Sequence, residues 1–149
     1  MMKDYYIRNM EIDDCPFVAR IEEEIFSLPW SEKSFADACS NKDNIYLVCE
    51  VEGKVAGYLG VWGSFDEGNI TNVAVSPEYR RQGICRALFE KLWELGKEKN
   101  ITSFFLEVRA GNIPAISLYE SMGFKMLGVR KGFYEKPVED ALVLSRSIE

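Results

Sequence analysis

The apolar residues of this chain of 149 residues change their spacing several times along the sequence, and these changes constrain the fold more than any other feature. From Asp13 to Phe26 they recur at helical spacing, whereas from Ile45 to Val51 they alternate every second residue, as in a strand. Similar patterns continue along the chain and predict the element order β-α-α-β-β-β-α-β-α-β-β. We therefore expect an α/β (α+β) protein with a mixed sheet of about seven strands flanked by about four helices.

The second half of the chain is predicted in more detail. We expect helices near residues 83–99 and 112–122, and strands near residues 69–75, 103–108, 124–129 and 141–147. Gly123 directly follows the second of these helices, as glycine commonly does at a helix C-terminus. The last two strands are expected to be joined by a loop that contains Tyr134 and Pro137.

Composition and charge exclude several classes of function. The 18 basic and 24 acidic residues give a net charge of −6, which disfavours nucleic-acid partners because their binding requires a basic surface. The chain contains no histidine, so Ser-His-Asp and Cys-His nucleophilic mechanisms and histidine-ligated zinc are excluded. With 47% hydrophobic residues, the chain fits one compact domain, which we expect to span residues 1–149.

The cysteines and the N-terminal segment indicate a compartment. Cys15, Cys39, Cys49 and Cys85 include no C-x-x-C pair, so neither a structural metal site nor a redox motif is expected. The N-terminus carries acidic and aromatic residues where a signal peptide needs an apolar stretch, and no run approaches the about 18 apolar residues that span a bilayer. We expect a cytoplasmic protein with reduced thiols, no metal and no membrane partner.

The segment from Asn69 to Leu92 is the most informative for function. It predicts a strand, a turn containing two arginines and a glycine, and then a helix. The free N–H groups and the positive dipole of a helix N-terminus attract phosphate, and Gly83 would let the backbone approach such a group closely. An ordinary turn with solvated arginines remains the alternative. The Gly-Lys-Ser/Thr ending of a Walker A loop is missing.

This turn resembles the acyl-CoA pyrophosphate loop of the GNAT family of N-acetyltransferases. The family pattern, Arg/Gln-x-x-Gly-x-Gly/Ala, matches Arg80-x-x-Gly83-x-Cys85, with cysteine in place of the small last residue. The resemblance implies a GNAT-type fold along essentially the whole chain and acetyl-CoA as cosubstrate. It implies cofactor binding by the third-strand backbone, the loop and the start of the last helix: Val73, Ala74, Val75, Arg80, Arg81, Gln82, Gly83, Ile84, Cys85, Arg86 and Asn112.

Three further segments are similar to one subgroup of that family, the ribosomal-protein-alanine N-acetyltransferases. They are LPWSEKSF (28–35), LEVRAGN (106–112) and AISLYESMGF (115–124). Those enzymes acetylate the N-terminal amine of a small-subunit ribosomal protein, so the resemblance implies the N-terminal peptide of such a protein, with alanine first, as substrate. An enzyme acting on lysine, a polyamine or another small amine, and a non-catalytic acyl-CoA sensor, are the alternatives.

The same resemblance implies Glu107 as proton acceptor and Tyr119 as proton donor. Acyl transfer requires such groups, because an amine of pKa about 8 is mostly protonated near neutral pH and the departing thiolate needs a proton. A backbone N–H of the third strand would stabilise the charge that develops on the thioester oxygen. The alternatives are a structural Glu107 paired with Arg109 or Lys125, and a Tyr119 that only packs.

The acceptor side is predicted less sharply. The residue pattern around Trp30 is typical of an aromatic residue that packs in the core or against a helix, whereas the resemblance places it beside the acceptor groove. The resemblance also places Tyr134 in a segment that covers the peptide, although Gly132 and Phe133 replace the residues usual there. Residues 11–24 contain six acids and one arginine. We interpret this acidic stretch as a solvated helix face, with electrostatic attraction of a cationic peptide as the alternative. Cys85 is expected to be an unreactive thiol, with a redox-sensitive thiol whose pKa is lowered by the helix N-terminus as the alternative.

Overall fold

The computed structural model describes residues 4–148, which form a mixed sheet with helices on both faces. The strands follow the spatial order β1-β2-β3-β4-β5-β7-β6, and every neighbouring pair is antiparallel except β4–β5. The strands are β1 (Tyr5–Asn9), β2 (Ile45–Val51), β3 (Lys54–Ser64), β4 (Glu67–Val75), β5 (Ser103–Arg109), β6 (Lys125–Tyr134) and β7 (Glu139–Ser147). The helices are α1 (Cys15–Ile25), α2 (Glu32–Cys39), α3 (Ile84–Glu98) and α4 (Ile113–Ser121). The predicted element order is confirmed.

Local signals fix where the helices begin. The Ser31 hydroxyl accepts a hydrogen bond from the Ser34 amide at 3.1 Å and caps α2, as its position before the helix predicts. Asn112 caps α4 in the same way, through its side-chain oxygen and the Ala115 amide. By contrast, α3 begins after Gly83, which has no side chain to cap the helix.

The helices cover two apolar clusters, one on each face of the sheet. On one face, α3 buries Leu88, Phe89 and Leu92 against sheet residues that include Leu59 and Phe104, and α4 packs beside it. On the other face, α1 and α2 bury residues that include Val18 and Phe35 against Tyr46, Val48 and Tyr58. This second face is called the α1/α2 face below.

The two central strands separate along their length. Parallel pairing joins Glu67–Asn69 of β4 to Ser103–Phe105 of β5 and then stops. Beyond it, β4 continues its pairing with β3 to Val75, and β5 continues with β7 to Arg109. Thr71 is an extra residue in β4 where its register with β3 shifts, and such a bulge bends a strand. The result is a gap between β4 and β5 at the centre of the sheet.

Three details differ from the sequence-based expectations. Tyr134 is the last residue of β6 rather than part of a loop, because it still pairs with Glu139 of β7. The acidic stretch is only partly a solvated face, since Asp14 and Glu22 are buried while Glu23 and Glu24 are exposed. Phe17 has the spacing of a core residue but is 52% exposed. Within residues 4–148, no helix is long and apolar enough to cross a membrane.

Candidate active site

A cavity of about 550 Å³ fills the gap between β4 and β5 and reaches both faces of the sheet. The residues that line it come from α1, the α1–α2 loop, β4 and the turn after it, β5, α4 with the Asn112 cap before it, and the end of β6 with the residue that follows. The sequence-predicted residues that it brings together are Trp30, Val73, Ala74, Val75, Arg80, Glu107, Asn112, Tyr119 and Tyr134. The other predicted residues, at positions 81–86, lie outside this lining, in the turn that leads from β4 into α3 and in the first helical turn.

The N-terminus of α3 has the features of a phosphate site. Gly83 adopts φ +79°, and a Cβ built on it would meet nothing within 4 Å, so the space above its backbone is open. The N–H groups of the first helical turn, at Ile84, Cys85 and Arg86, have no partner within the helix. Open backbone N–H groups at the positive end of a helix fit the pyrophosphate of a CoA thioester.

The side chains of this turn are held in different ways. Arg80 Nε donates to the Val75 carbonyl at 3.0 Å, and Arg86 Nη2 donates to the Ser121 hydroxyl at 3.0 Å. Ile84 is 2% exposed and packs in the core, so only its backbone is available to a ligand. Burial raises the pKa of the Cys85 thiol to about 11, as expected of an unreactive cysteine.

The edge of β4 that faces the gap exposes backbone donors. The Ser76 amide donates to the Ala56 carbonyl at 2.8 Å, which fixes the alternation of hydrogen bonds between β3 and β4. By that alternation, the Ala74 N–H points to β3, whereas the N–H groups of Val73 and Val75 point toward β5. Because β5 has already separated from β4, these two donors face the cavity.

Glu107 extends from β5 into the cavity, with a side chain that is 34% exposed. Its carboxylate accepts a hydrogen bond from Arg130 Nη1 at 3.3 Å, and the Arg130 side chain is 57% exposed. The alternative that Glu107 forms an ion pair with Arg109 is wrong, because Arg109 pairs with Glu139 at 3.2 Å instead. An ion pair as open as Glu107–Arg130 is worth at most about 1 kcal/mol, so a structural role alone does not explain this carboxylate.

Tyr119 lies on α4 across the cavity and packs edge-on against two aromatic rings. Its ring centroid is 5.9 Å from that of Phe89 and 5.9 Å from that of Phe124. Burial raises the pKa of the Tyr119 phenol, and the nearby Cys85 and Tyr134 raise it further. The ring therefore packs in the core, while the residue lines the cavity and keeps its proton well above neutral pH.

The acceptor-side aromatics are fixed by contacts from distant segments. The Trp30 backbone N–H donates to Glu22 at 3.1 Å, and its ring packs 5.3 Å from that of Phe35. The Arg109 guanidinium lies 4.5 Å from the centre of the Tyr134 ring and donates to the carbonyls of Glu135 and Pro137. Burial raises the pKa of the Tyr134 phenol to about 12, helped by nearby carboxylates, of which Glu107 acts most strongly, and opposed by Arg109.

Glu22 and Asn72 are cavity-lining residues that sequence reasoning missed. Glu22 is 3% exposed and accepts from the Tyr58 hydroxyl at 2.7 Å and from Asn72 Nδ2 at 3.1 Å. The oxygen of the Asn72 amide, Oδ1, is buried and has no hydrogen-bond partner within residues 4–148. A sequence signal for Glu22 existed, because it lies four residues after Val18 on the buried stripe of α1.

The sequence of this chain is similar to a known protein family and to individual members of it. The sequence profile of the Acetyltransferase (GNAT) family matches residues 13–124. A [ribosomal protein bS18]-alanine N-acetyltransferase of Escherichia coli K12 is 38% identical over 95% of this chain and 97% of its own length. A Bacillus subtilis protein to which the same activity is provisionally assigned is 42% identical over 93% of this chain and 92% of its own length.

Solved structures give the same result. The ribosomal-protein-S18-alanine N-acetyltransferase of E. coli superposes with a TM-score of 0.91 at 34% identity, over 98% of this chain and 95% of that one. Arabidopsis thaliana NAA60 in complex with acetyl-CoA shares the fold, with a TM-score of 0.86 at 19% identity over 97% of this chain and 99% of that one. The GNAT-type fold expected from the sequence is therefore confirmed, and the chain belongs to the acetyltransferase (GNAT) family of enzymes.

Proposed function

We propose that this enzyme transfers an acetyl group from acetyl-CoA to the α-amine of an N-terminal alanine in a small-subunit ribosomal protein. One observation carries the proposal: the gap between β4 and β5 reaches the turn that leads to the open N-terminus of α3 and is bordered by the aromatic residues Trp30 and Tyr134, with Glu107 and Tyr119 in its lining. The relatives named for alanine acetylation of bS18 support this choice of acceptor. A ribosomal acceptor also places the proposed reaction in the cytoplasm. We assign the activity to a single domain that spans residues 1–149.

Acetyl-CoA supplies the activated thioester, and the residues on the donor side fit it. The backbone N–H groups at Gly83, Ile84, Cys85 and Arg86 would hold the pyrophosphate, with charge from nearby arginines and the polar side chain of Gln82. The backbone of Val73, Ala74 and Val75 would hold the rest of the cosubstrate along the open edge of β4. Asn112, exposed at the start of α4, would contact it from the opposite wall of the cavity.

Glu107 would act as the general base. The attacking α-amine has a pKa of about 8, so it must lose a proton before its lone pair can attack. Glu107 is open to the cavity and could accept that proton directly or through a water molecule. Its carboxylate is paired with Arg130, whose side chain is 57% exposed and can move aside as the substrate arrives.

Tyr119 would return a proton to the departing sulfur. Burial raises the pKa of this phenol, so Tyr119 remains protonated across the pH range in which the amine becomes a nucleophile. A neutral phenol beside a developing thiolate is a suitable donor. The N–H groups of Val73 and Val75 face the same space and would stabilise the charge that develops on the carbonyl oxygen.

The acceptor peptide would lie between Trp30 and Tyr134, which border the cavity on the side away from α3. Glu22, Glu107 and Glu135 line the cavity together with Arg80 and Arg109, so acidic side chains outnumber basic ones around the position of the incoming ammonium group. This arrangement favours capture of a cationic N-terminus before it is deprotonated.

Two peptides test the proposal. One begins with a free alanine, and the other has a blocked N-terminus but carries internal lysines. After incubation with the enzyme and acetyl-CoA, mass spectrometry should detect acetylation of the first peptide and little of the second. Equal rates on both would contradict α-amine transfer while leaving acetyl-CoA binding intact.

A further inference from the structure

A second groove, of about 760 Å³, lies on the α1/α2 face beside the candidate active site. Its floor and walls include Trp30, Trp62, Asp37 and Asn69. Trp30 also lines the active-site cavity, and Asn69 precedes Ile70 and Thr71, which line that cavity as well. The two spaces are therefore neighbours along β4 and share the Trp30 side chain.

Trp62 is unusually exposed for a tryptophan. It is 49% accessible on β3, and its ring centroid lies 5.8 Å from that of Trp30. Neither apolar cluster of the fold includes it. Half-exposed tryptophans on a firm base are frequent anchors of binding surfaces, because they offer a large apolar face at little cost in conformational entropy. The base is firm here, since the Trp30 backbone is bonded to the buried Glu22.

The charge of the groove selects the occupant. Asp37 is the one charged residue among those that line it within residues 4–148. Its carboxylate forms an ion pair with Lys33 at 2.8 Å, in which the Asp37 and Lys33 side chains are 67% and 83% exposed. Pairs this open are readily exchanged for another cation. An arginine side chain could stack on an indole ring while its guanidinium approaches Asp37.

We propose that the Trp30–Trp62 groove binds the acceptor polypeptide beyond its acetylated residue, with a cationic side chain of that segment stacked on Trp62. This inference rests on the proposed function, because it extends the same acceptor site. The N-terminal amine reaches Glu107 through the cavity, and the following residues leave past Trp30 along β4. The groove therefore discriminates between long and short acceptors and favours basic ones.

Three alanine-led peptides test this groove. The first is short, the second continues with a segment that contains arginine, and the third replaces that arginine with glutamine. For the wild-type enzyme, kcat/KM should be roughly tenfold higher for the second peptide than for the others. Trp62→Ala should remove this advantage and leave the short peptide unaffected. Phe65→Ala is the matched control, because Phe65 is 98% exposed on the same hairpin and lines neither cavity.

Asp37→Asn provides a second variant on an exposed helix surface, so folding does not limit the test. It should lower kcat/KM for the arginine-containing peptide and leave kcat/KM for the other two peptides unchanged. The inference is overturned if both variants keep the full advantage, or if Trp62→Ala slows the short and long peptides equally. Failure of the wild type to acetylate the short peptide would count against the proposed function instead. In that case, direct binding of the long peptides, measured by calorimetry, repeats the comparison without turnover.

Discussion

The donor side and the acceptor side of the cavity are built from different parts of the chain. On the donor side, most of the surface offered to a ligand is backbone: the positive-φ Gly83, the first turn of α3 and the open edge of β4. On the acceptor side, the surface consists of side chains that other side chains position: Glu22 accepts from the backbone N–H of Trp30, and Arg109 lies over the Tyr134 ring. The gap between β4 and β5 is the place where the two kinds of surface meet.

This difference suits the two substrates. A CoA thioester is always the same molecule, and backbone groups that do not depend on residue identity can bind it. An acceptor polypeptide varies between enzymes, and side chains can change with it while the strands remain in place. Substitutions on the two sides should therefore have separable effects on the two substrates.

The largest effect is expected between the two sides, at Glu107. Glu107→Gln keeps the size of the side chain but removes its proton affinity, so turnover near neutral pH should fall by about 10²–10⁴-fold. Acetyl-CoA binding should be unchanged. The loss should shrink as the pH rises above the pKa of the amine, about 8, because the nucleophile is then already deprotonated. A pH–rate profile measures this, and normal turnover at every pH would rule out Glu107 as the base.

Tyr119→Phe removes the proposed proton donor and should differ from Glu107→Gln in its pH dependence. It should also keep acetyl-CoA binding, but its defect should persist at alkaline pH because deprotonated amine does not replace the missing acid. Burial raises the pKa of Tyr119, so the wild-type phenol should still be protonated where the Glu107 variant recovers. Recovery of the Tyr119 variant at high pH would contradict its role as proton donor.

On the donor side, Gly83→Leu should weaken acetyl-CoA binding by about a hundredfold or more. Its side chain would occupy the open space above the loop and prevent close approach of the pyrophosphate. Gly53→Leu is the matched control, because Gly53 has nearly the same backbone angle, φ +78°, and lies in the β2–β3 turn. Thermal shift with acetyl-CoA should be lost only in the first variant. An equal shift in both would place the phosphate site elsewhere.

On the acceptor side, Arg109→Lys should raise the KM for the peptide about tenfold, equivalent to about 1.4 kcal/mol. Lysine cannot bind the carbonyls of Glu135 and Pro137 together and also cover the Tyr134 ring. Initial rates at varied peptide concentration measure the change. Arg20→Lys is the control, since Arg20 also lies over a ring, that of Phe17, but outside the cavity. If both variants changed the KM for the peptide equally, Arg109 would not have a special role in positioning Tyr134.

The smallest effect on turnover is expected at Glu22, which supports the acceptor side, because its substitution acts mainly on stability. Glu22 accepts hydrogen bonds from the Trp30 backbone N–H, the Tyr58 hydroxyl and Asn72 Nδ2. In Glu22→Gln an amide NH₂ group would face donors of this set and could not accept from them, so we expect the free energy of unfolding to fall by about 1–3 kcal/mol. Urea denaturation of this variant and of Glu23→Gln, whose side chain is exposed, measures the difference. Equal stability of both variants would show that the buried network contributes little.

The same contrast explains how far the sequence could predict the structure. Gly83, Ser31 and Asn112 act on the backbone next to them, so their roles at helix starts could be predicted locally. Glu22 and Arg109 act on residues that only the folded sheet brings near. The extension of β6 to Tyr134 was missed for the same reason, because pairing with Glu139 outweighs the turn tendency of Gly132.

The separation of the two sides is tested most directly by initial-rate kinetics with both substrates varied, on Gly83→Leu and Arg109→Lys in parallel. The account predicts that Gly83→Leu raises the KM for acetyl-CoA and leaves the KM for the peptide near the wild-type value. It predicts the reverse for Arg109→Lys. If each variant raised the KM for acetyl-CoA and the KM for the peptide by the same factor, the cavity would not be divided into a donor side and an acceptor side.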